Sequence, residues 1–127
     1  LGEDDDTLCV RRDVMARISM GDGDDSMVVG NDVERSVDMG RGNDGLHVMD
    51  DVKHSIRLGE GNDTPVVGDN AESLILADAG DDQVIIGGDV RHLVHGGAGN
   101  DSIELRGYSR RDWDRNVDNV QGRVRDF

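Results

Sequence analysis

Aromatic side chains are nearly absent from this 127-residue chain, which holds only Tyr108, Trp113 and Phe127. Globular cores of this size ordinarily rest on several such anchors, so a conventional aromatic core is excluded. Cysteine is reduced to Cys9, which removes an internal disulfide framework and any cysteine-based zinc cluster. No apolar run approaches the ~18 residues of a membrane-spanning helix, and no signal-peptide pattern opens the chain. Positive charge is also short, with 14 Lys and Arg facing 28 Asp and Glu for a net charge of −14 at pH 7. Few aromatics and high net charge are the composition of a disordered segment; only an ordered periodicity overturns that reading. The chain starts on Leu1 rather than Met and so reads as part of something longer, with any export signal outside it.

Glycine is plentiful, at 18 residues, and falls in register. Cut every nineteen residues from Gly2, the chain reads GEDDDTLCV-RRDVMARISM, GDGDDSMVV-GNDVERSVDM, GRGNDGLHV-MDDVKHSIRL, GEGNDTPVV-GDNAESLILA, DAGDDQVII-GGDVRHLVHG and GAGNDSIEL-RGYSRRDWDR, without insertion or deletion. Self-similarity at a fixed period marks a solenoid or array. Position five is invariant: Asp6, Asp25, Asp44, Asp63, Asp82 and Asp101. Position four is always Asp or Asn, from Asp5 to Asn100. Glycine holds position one at Gly2, Gly21, Gly40, Gly59 and Gly97, and position three at Gly23, Gly42, Gly61, Gly80 and Gly99; Asp78 and Asp4 are the exceptions. Apolar residues recur at positions seven and nine (Met27 and Val29, for example), at thirteen (Val14, Val33, Val52, Ala71, Val90) and at seventeen (Ile18, Val37, Ile56, Ile75, Val94, then Trp113).

Apolar residues two apart within each half-coil are the alternation of a half-buried strand. Glycine density and β-branched residues oppose a helix. Strands this short are stable only when each pairs with its counterpart in the next coil. The predicted fold is therefore all-β: a right-handed parallel β-solenoid of about six coils over residues 2–105, with a C-terminal capping segment over 106–127. At ~4.8 Å per coil the rod is on the order of 29 Å long.

Stacking the coils also stacks the Asp column. Carboxylates ~4.8 Å apart repel by about 1 kcal/mol in water and about 3–4 kcal/mol at an effective dielectric of 20. Cations between the turns remove that opposition. Ca²⁺ suits the chemistry, because it accepts six to eight oxygen ligands in flexible geometry, whereas Mg²⁺ demands a tight octahedron. Glycine at positions one and three allows positive φ, so that carbonyls can turn inward beside the position-five carboxylate.

GDGDDSMVV, GRGNDGLHV, GEGNDTPVV and GAGNDSIEL resemble the glycine- and aspartate-rich nonapeptide of RTX (hemolysin-type) calcium-binding repeats. The resemblance implies Ca²⁺ between corresponding turns of adjacent coils, up to about five ions along one edge. It assigns as ligands the Asp6-to-Asp101 column and the turn glycines Gly21, Gly23, Gly40, Gly42, Gly59, Gly61, Gly80, Gly97 and Gly99. The commonest eighteen-residue coil of that family carries a calcium turn on both sides. Here the second turn is longer and lacks the paired glycines, so calcium is expected on one edge only, similar to the calcium-bound segment of a giant bacterial RTX adhesin. The second turn has its own column, Asp13, Asp32, Asp51, Asn70 and Asp89, read as Asx-turn residues bonding nearby amides, with a second metal row as the minor alternative. Asp4 makes the turn between the first two coils the weakest site.

Other features read blandly. His54 and His92 share a column but stand two coils apart, about 10 Å, too far for one ion; His47 and His95 occupy outward strand positions. Paired carboxylates abound, yet none departs from its copies, so no catalysis is expected. An ice-binding face needs a flat, regular array such as the adhesin's Thr and Asn columns, and position two here is Glu3, Asp22, Arg41, Glu60, Ala79 and Ala98. Residues 106–127 hold six basic and four acidic residues, +2, against −16 for residues 1–105. Beside so negative a body a nucleic-acid patch is not expected; Trp113 and Tyr108 suit a cap over the exposed core, and the closing NVDNVQGRVRDF resembles the strand that often follows RTX repeats.

The expected function is a calcium-binding, calcium-dependent folding and structural module of a secreted bacterial protein, extracellular and joined to the rest of a larger chain. The resemblance implies type I export, with folding outside the cell. The alternative is an extracellular binding module whose faces hold a polysaccharide, a surface or a partner domain.

Overall fold

Each half-coil becomes a strand. The structure, a computed structural model, describes residues 1–106, 117–118 and 123–126. Its strands are β1 Thr7–Val10, β2 Ile18–Asp22, β3 Ser26–Val29, β4 Val37–Arg41, β5 Gly45–Val48, β6 Ile56–Arg57, β7 Thr64–Val67, β8 Ile75–Leu76, β9 Gln83–Ile86, β10 Val94–His95, β11 Ser102–Leu105, β12 Val117–Asp118 and β13 Arg123–Asp126. The odd-numbered strands form one sheet of seven and the even-numbered strands one of six. Every pairing is parallel, and as far as β10 and β11 the register advances by one repeat, as in Met27↔Leu46 and Val37↔Ile56. A third ladder of single bridges runs Val14, Val33, Val52, Ala71 and Val90. No helix occurs among the described residues. The solenoid expected from the nineteen-residue period is the fold observed.

The apolar columns meet in one core of aliphatic and Met side chains. Its cross-section is redistributed along the rod. Column nineteen shrinks through Met20, Met39, Leu58, Ala77 and Gly96, all buried, while column nine grows from Val29, Val48 and Val67 to Ile86 and Leu105. The growth of column nine offsets only part of the volume that column nineteen loses.

Two local departures have backbone causes. Pro65 lies within β7 and has no N–H. β7 pairs with β5 over all four residues but with β9 only at Val66↔Ile85 and Val67↔Ile86. At the C-terminal end, uniform spacing puts Trp113 in column seventeen, but the partner of Val94 is Val117. The segment between is thus four residues longer than a repeat, and Trp113 and Tyr108 lie outside the described residues. β13 then pairs with β11, placing a strand in the closing NVDNVQGRVRDF, and Ile103 and Leu105 are fully buried.

Candidate functional site

The first turn of each coil is held by glycines. Gly21, Gly40, Gly59 and Gly97 have φ between 86 and 109°, and Gly23, Gly42, Gly61, Gly80 and Gly99 between 124 and 139°. The position-three glycines have a second reason to be there. A Cβ on Gly42, Gly61, Gly80 or Gly99 would collide with the position-three carbonyl oxygen of the coil before. Asp78 is the exception that closes: among the described residues it alone has positive φ without being glycine, at 71°. Arg57 Nε donates to its Oδ2 at 2.6 Å. Asp4 does not enter the left-handed region.

Columns four and five reach across the coil boundary in opposite directions. In column five, the amide of Asp25 donates to Asp44 Oδ1, that of Asp44 to Asp63 Oδ1 and that of Asp63 to Asp82 Oδ1, each at 2.8 Å; Asp6 to Asp25 and Asp82 to Asp101 follow the same rule. Here the later coil supplies the carboxylate. In column four the earlier coil does: the Asn43 amide donates to Asp24 Oδ1, Asn62 to Asn43 Oδ1 and Asn100 to Asp81 Oδ1, all at 2.8 Å. Column four is exposed, whereas Asp25, Asp44, Asp63, Asp82 and Asp101 are buried, at 0–2% exposure.

Each buried carboxylate has spent only one oxygen. Oδ2 of Asp25, Asp44, Asp63, Asp82 and Asp101 is buried with no hydrogen-bond partner. Buried polar atoms are nearly always satisfied, and an orphan asks for an ion or water. The same conflict shows in proton affinity. Burial pushes the Asp44 carboxyl up to about 6, Asp63 to about 7 and Asp82 to about 6; the accepted amide pulls each down, and neighbouring carboxylates push each further up. Asp101 is raised by burial too. A file of inward, all-oxygen donors that cannot hold its charge unaided fits a hard divalent cation.

The second turn is built otherwise. The amide of Asp51 donates to Asp32 Oδ1 at 3.0 Å, Asn70 to Asp51 Oδ1 at 2.8 Å and Asp89 to Asn70 Oδ1 at 2.9 Å. The amide-bonding role expected of this column is present, but across coils rather than within a local Asx-turn. Among the described residues, Asp32, Asp50 and Asp51 bring carboxylate oxygens within 4.8 Å of one another. Lys53 already supplies a cation there, its Nζ 2.6 Å from Asp32 Oδ2 and 3.2 Å from Glu34 Oε1. Its hydrogen bond holds the Asp32 carboxyl below the usual range.

Nothing in the periodicity showed the opposed ladders or the place of Lys53, although Lys53 standing where other coils carry Glu34, Glu72 or Arg91 was a visible break. The position-two column is charged as far as Glu60, with Arg41 Nε 3.6 Å from Glu60 Oε2, and ends on Ala79 and Ala98. Beside it a groove of about 600 Å³ crosses the six-stranded sheet, lined in part by Arg57, Leu76 and His95. His47, His54 and His92 are exposed and His95 is half-buried.

Residues 93–127 match the bacterial antifreeze protein repeat family. A solved structure described as a hyperactive, Ca²⁺-dependent, β-helical antifreeze protein from an Antarctic bacterium is similar at 31% identity and a TM-score of 0.72, over 81% of this chain. The chain spans 40% of that protein's length. Comparison with curated proteins finds no match. The likeness agrees with the β-solenoid described above.

Proposed function

We propose that this chain is a calcium-dependent folding and structural module, with Ca²⁺ held between successive first turns. The carrying observation is the file of buried, partnerless Oδ2 atoms from Asp25 to Asp101. These carboxylates, with carbonyls of the glycine turns, would hold the ions; bound calcium would supply the positive charge that the buried column lacks. Further support comes from the Ca²⁺ dependence of the similar antifreeze protein and from the RTX-like nonapeptide. Without the ion, like-charge repulsion and glycine entropy oppose the coil; with it, binding free energy becomes folding free energy. The RTX resemblance supports secretion by a type I route and folding in extracellular calcium, as part of a larger protein.

The test is circular dichroism during a calcium titration after chelation. The strand signal is expected to fall on chelation and return with calcium. A signal indifferent to chelation sinks the proposal.

A rival reading, a binding module, has one observation in its favour. From Thr7 to Ile85 the outward positions six and eight of the seven-stranded sheet carry no charge, in a chain that is 33% charged. If that face holds an insoluble polysaccharide, Val66→Arg abolishes co-sedimentation with it while calcium-dependent folding is kept; absence of co-sedimentation by the unaltered chain removes this reading.

A further inference from the structure

On the outside of the six-stranded sheet, the groove of about 600 Å³ runs lengthwise along the rod. One wall is column eighteen, from Asp38 through Arg57 and Leu76 to His95, and the other is column two, from Arg41 to Ala98. Between them lies column one, where Gly40, Gly59 and Gly97 leave bare backbone. A Cβ on any of these three would strike the column-one carbonyl oxygen of the coil before. The trough therefore stays open over three coil spacings, about 14 Å, and its volume is that of a small-molecule site.

Asp78 interrupts the bare column. It takes the place that glycine holds in the five other coils, at φ 71°, and backbone strain of this kind gathers at ligand sites. Arg57 Nε holds its Oδ2 at 2.6 Å. That bond uses one of the five guanidinium N–H groups, and the Arg57 side chain is 63% exposed. The pair thus presents donors beside an acceptor, already ordered before any ligand arrives. Arg41 and Glu60 form a second, looser pair at 3.6 Å. Farther along, Leu76, Ala79 and Ala98 make the lining apolar.

Charge and spacing select the occupant. Three carboxylates (Asp38, Glu60, Asp78) and two guanidiniums (Arg41, Arg57) line the groove, close to balance on a chain of net charge −14. A polyanion is repelled by that body. An extended peptide advances ~3.3 Å per residue, out of step with the coils, and adding it as a strand requires a free backbone edge. Here the column-two amides already donate to column-one carbonyls, Glu60 to Gly40, Ala79 to Gly59 and Ala98 to Asp78. An extended sugar chain advances by nearly one coil spacing per unit. Its hydroxyls both donate and accept, and its C–H faces suit Leu76 and the two alanines. We propose that this groove binds a neutral, extended oligosaccharide lengthwise, about one sugar unit per coil, with Arg57 and Asp78 gripping its hydroxyls. The assignment rests on the groove, not on the metal.

The experiment titrates the full chain, in excess calcium, with neutral tetrasaccharides of β-1,4-linked glucose, xylose or mannose and with anionic tetragalacturonate, read by ¹H–¹⁵N NMR. At least one neutral chain is expected to shift the amides of Arg57, Glu60 and Ala79 saturably, and tetragalacturonate is not. Arg57→Gln and Ala79→Arg should each weaken that binding by at least about tenfold. Column two already carries Arg41 in another coil, so the second change suits the fold. Both variants should keep the calcium titration of the unaltered chain by circular dichroism, which separates loss of the site from loss of the rod. Silence of the groove amides towards every neutral chain overturns the proposal. So does a preference for tetragalacturonate, or binding that both variants leave unchanged.

Discussion

Asp63 carries the sharpest conflict between charge and burial. Burial raises its carboxyl to about 7, against ~3.9 in an unfolded chain. A raised folded value means the folded state binds the proton more tightly. The buried charge therefore weighs fully on the fold above about 7 and is relieved as pH falls towards ~4. In chelator, the strand signal is expected to strengthen from about pH 8 to about pH 5; weakening on acidification would contradict this account. With calcium the trend reverses, since protons and the ion compete for the same oxygen, and the calcium midpoint rises as pH falls. Asp63→Asn separates the two effects: the chelated form gains strand signal, and the calcium midpoint rises by on the order of tenfold. An unchanged midpoint removes Asp63 from the ligand set. Asp78 and Gly61 give a matched pair. Asp78→Gly relieves left-handed strain of about 1 kcal/mol, less an exposed pair with Arg57 worth about 0–1 kcal/mol, so denaturant unfolding should show no loss. Gly61→Ala sets a Cβ at φ 132° against the Gly42 carbonyl and should lose about 3 kcal/mol or more. Repetition made these positions legible, because the aspartate place recurs in all six turns and each glycine place in five of them. The direction in which each side chain reaches was not legible: column five is Asp and column four Asp or Asn, side chains of the same length with the same accepting oxygen, and only the backbone path sends them opposite ways.

Among the elements, β7 is the one with a built-in defect. Pro65 is buried in an interior strand, where the missing N–H removes a ladder bond. Pro65→Val retains a column-seven apolar residue between Leu46 and Val84 and restores the donor. Stability should rise by about 1 kcal/mol, read from the denaturant midpoint with calcium in excess, and amide exchange in β9 should slow. No gain would mean that the lost pairing costs nothing here. Strand placement was readable from the period-two alternation, and the missing paired glycines of the second edge were visible in the repeat. The count of nineteen put Trp113 in column seventeen, where Val117 pairs with Val94, because such a count cannot register a longer segment. The second-turn aspartates misled for a similar reason. Asx chemistry is local in most proteins, but stacked coils put another coil's amide within reach.

For the whole molecule, removing calcium should expose every column-five carboxylate to its neighbours at once, so unfolding on chelation is expected as one cooperative transition by circular dichroism and by exchange. Coil-by-coil loss would mean the turns act independently. Ice adsorption does not follow from the likeness to an antifreeze protein: the column over the first turn runs Glu3, Asp22, Arg41, Glu60, Ala79 and Ala98 in place of a regular array. Thermal hysteresis in calcium is expected to be absent, and a measurable gap between freezing and melting would reverse that judgement. Repeats so alike also invite a mistake of order, since each backbone edge would accept a coil from the wrong place in line. The tapering interior answers this. If the coil of residues 59–77 were skipped, Leu58 would lie beside Gly96 and Val48 beside Ile86, leaving a step in an interior that otherwise changes by smaller amounts from coil to coil. Side-chain volume thus works as a serial number, telling the later coils from the earlier ones.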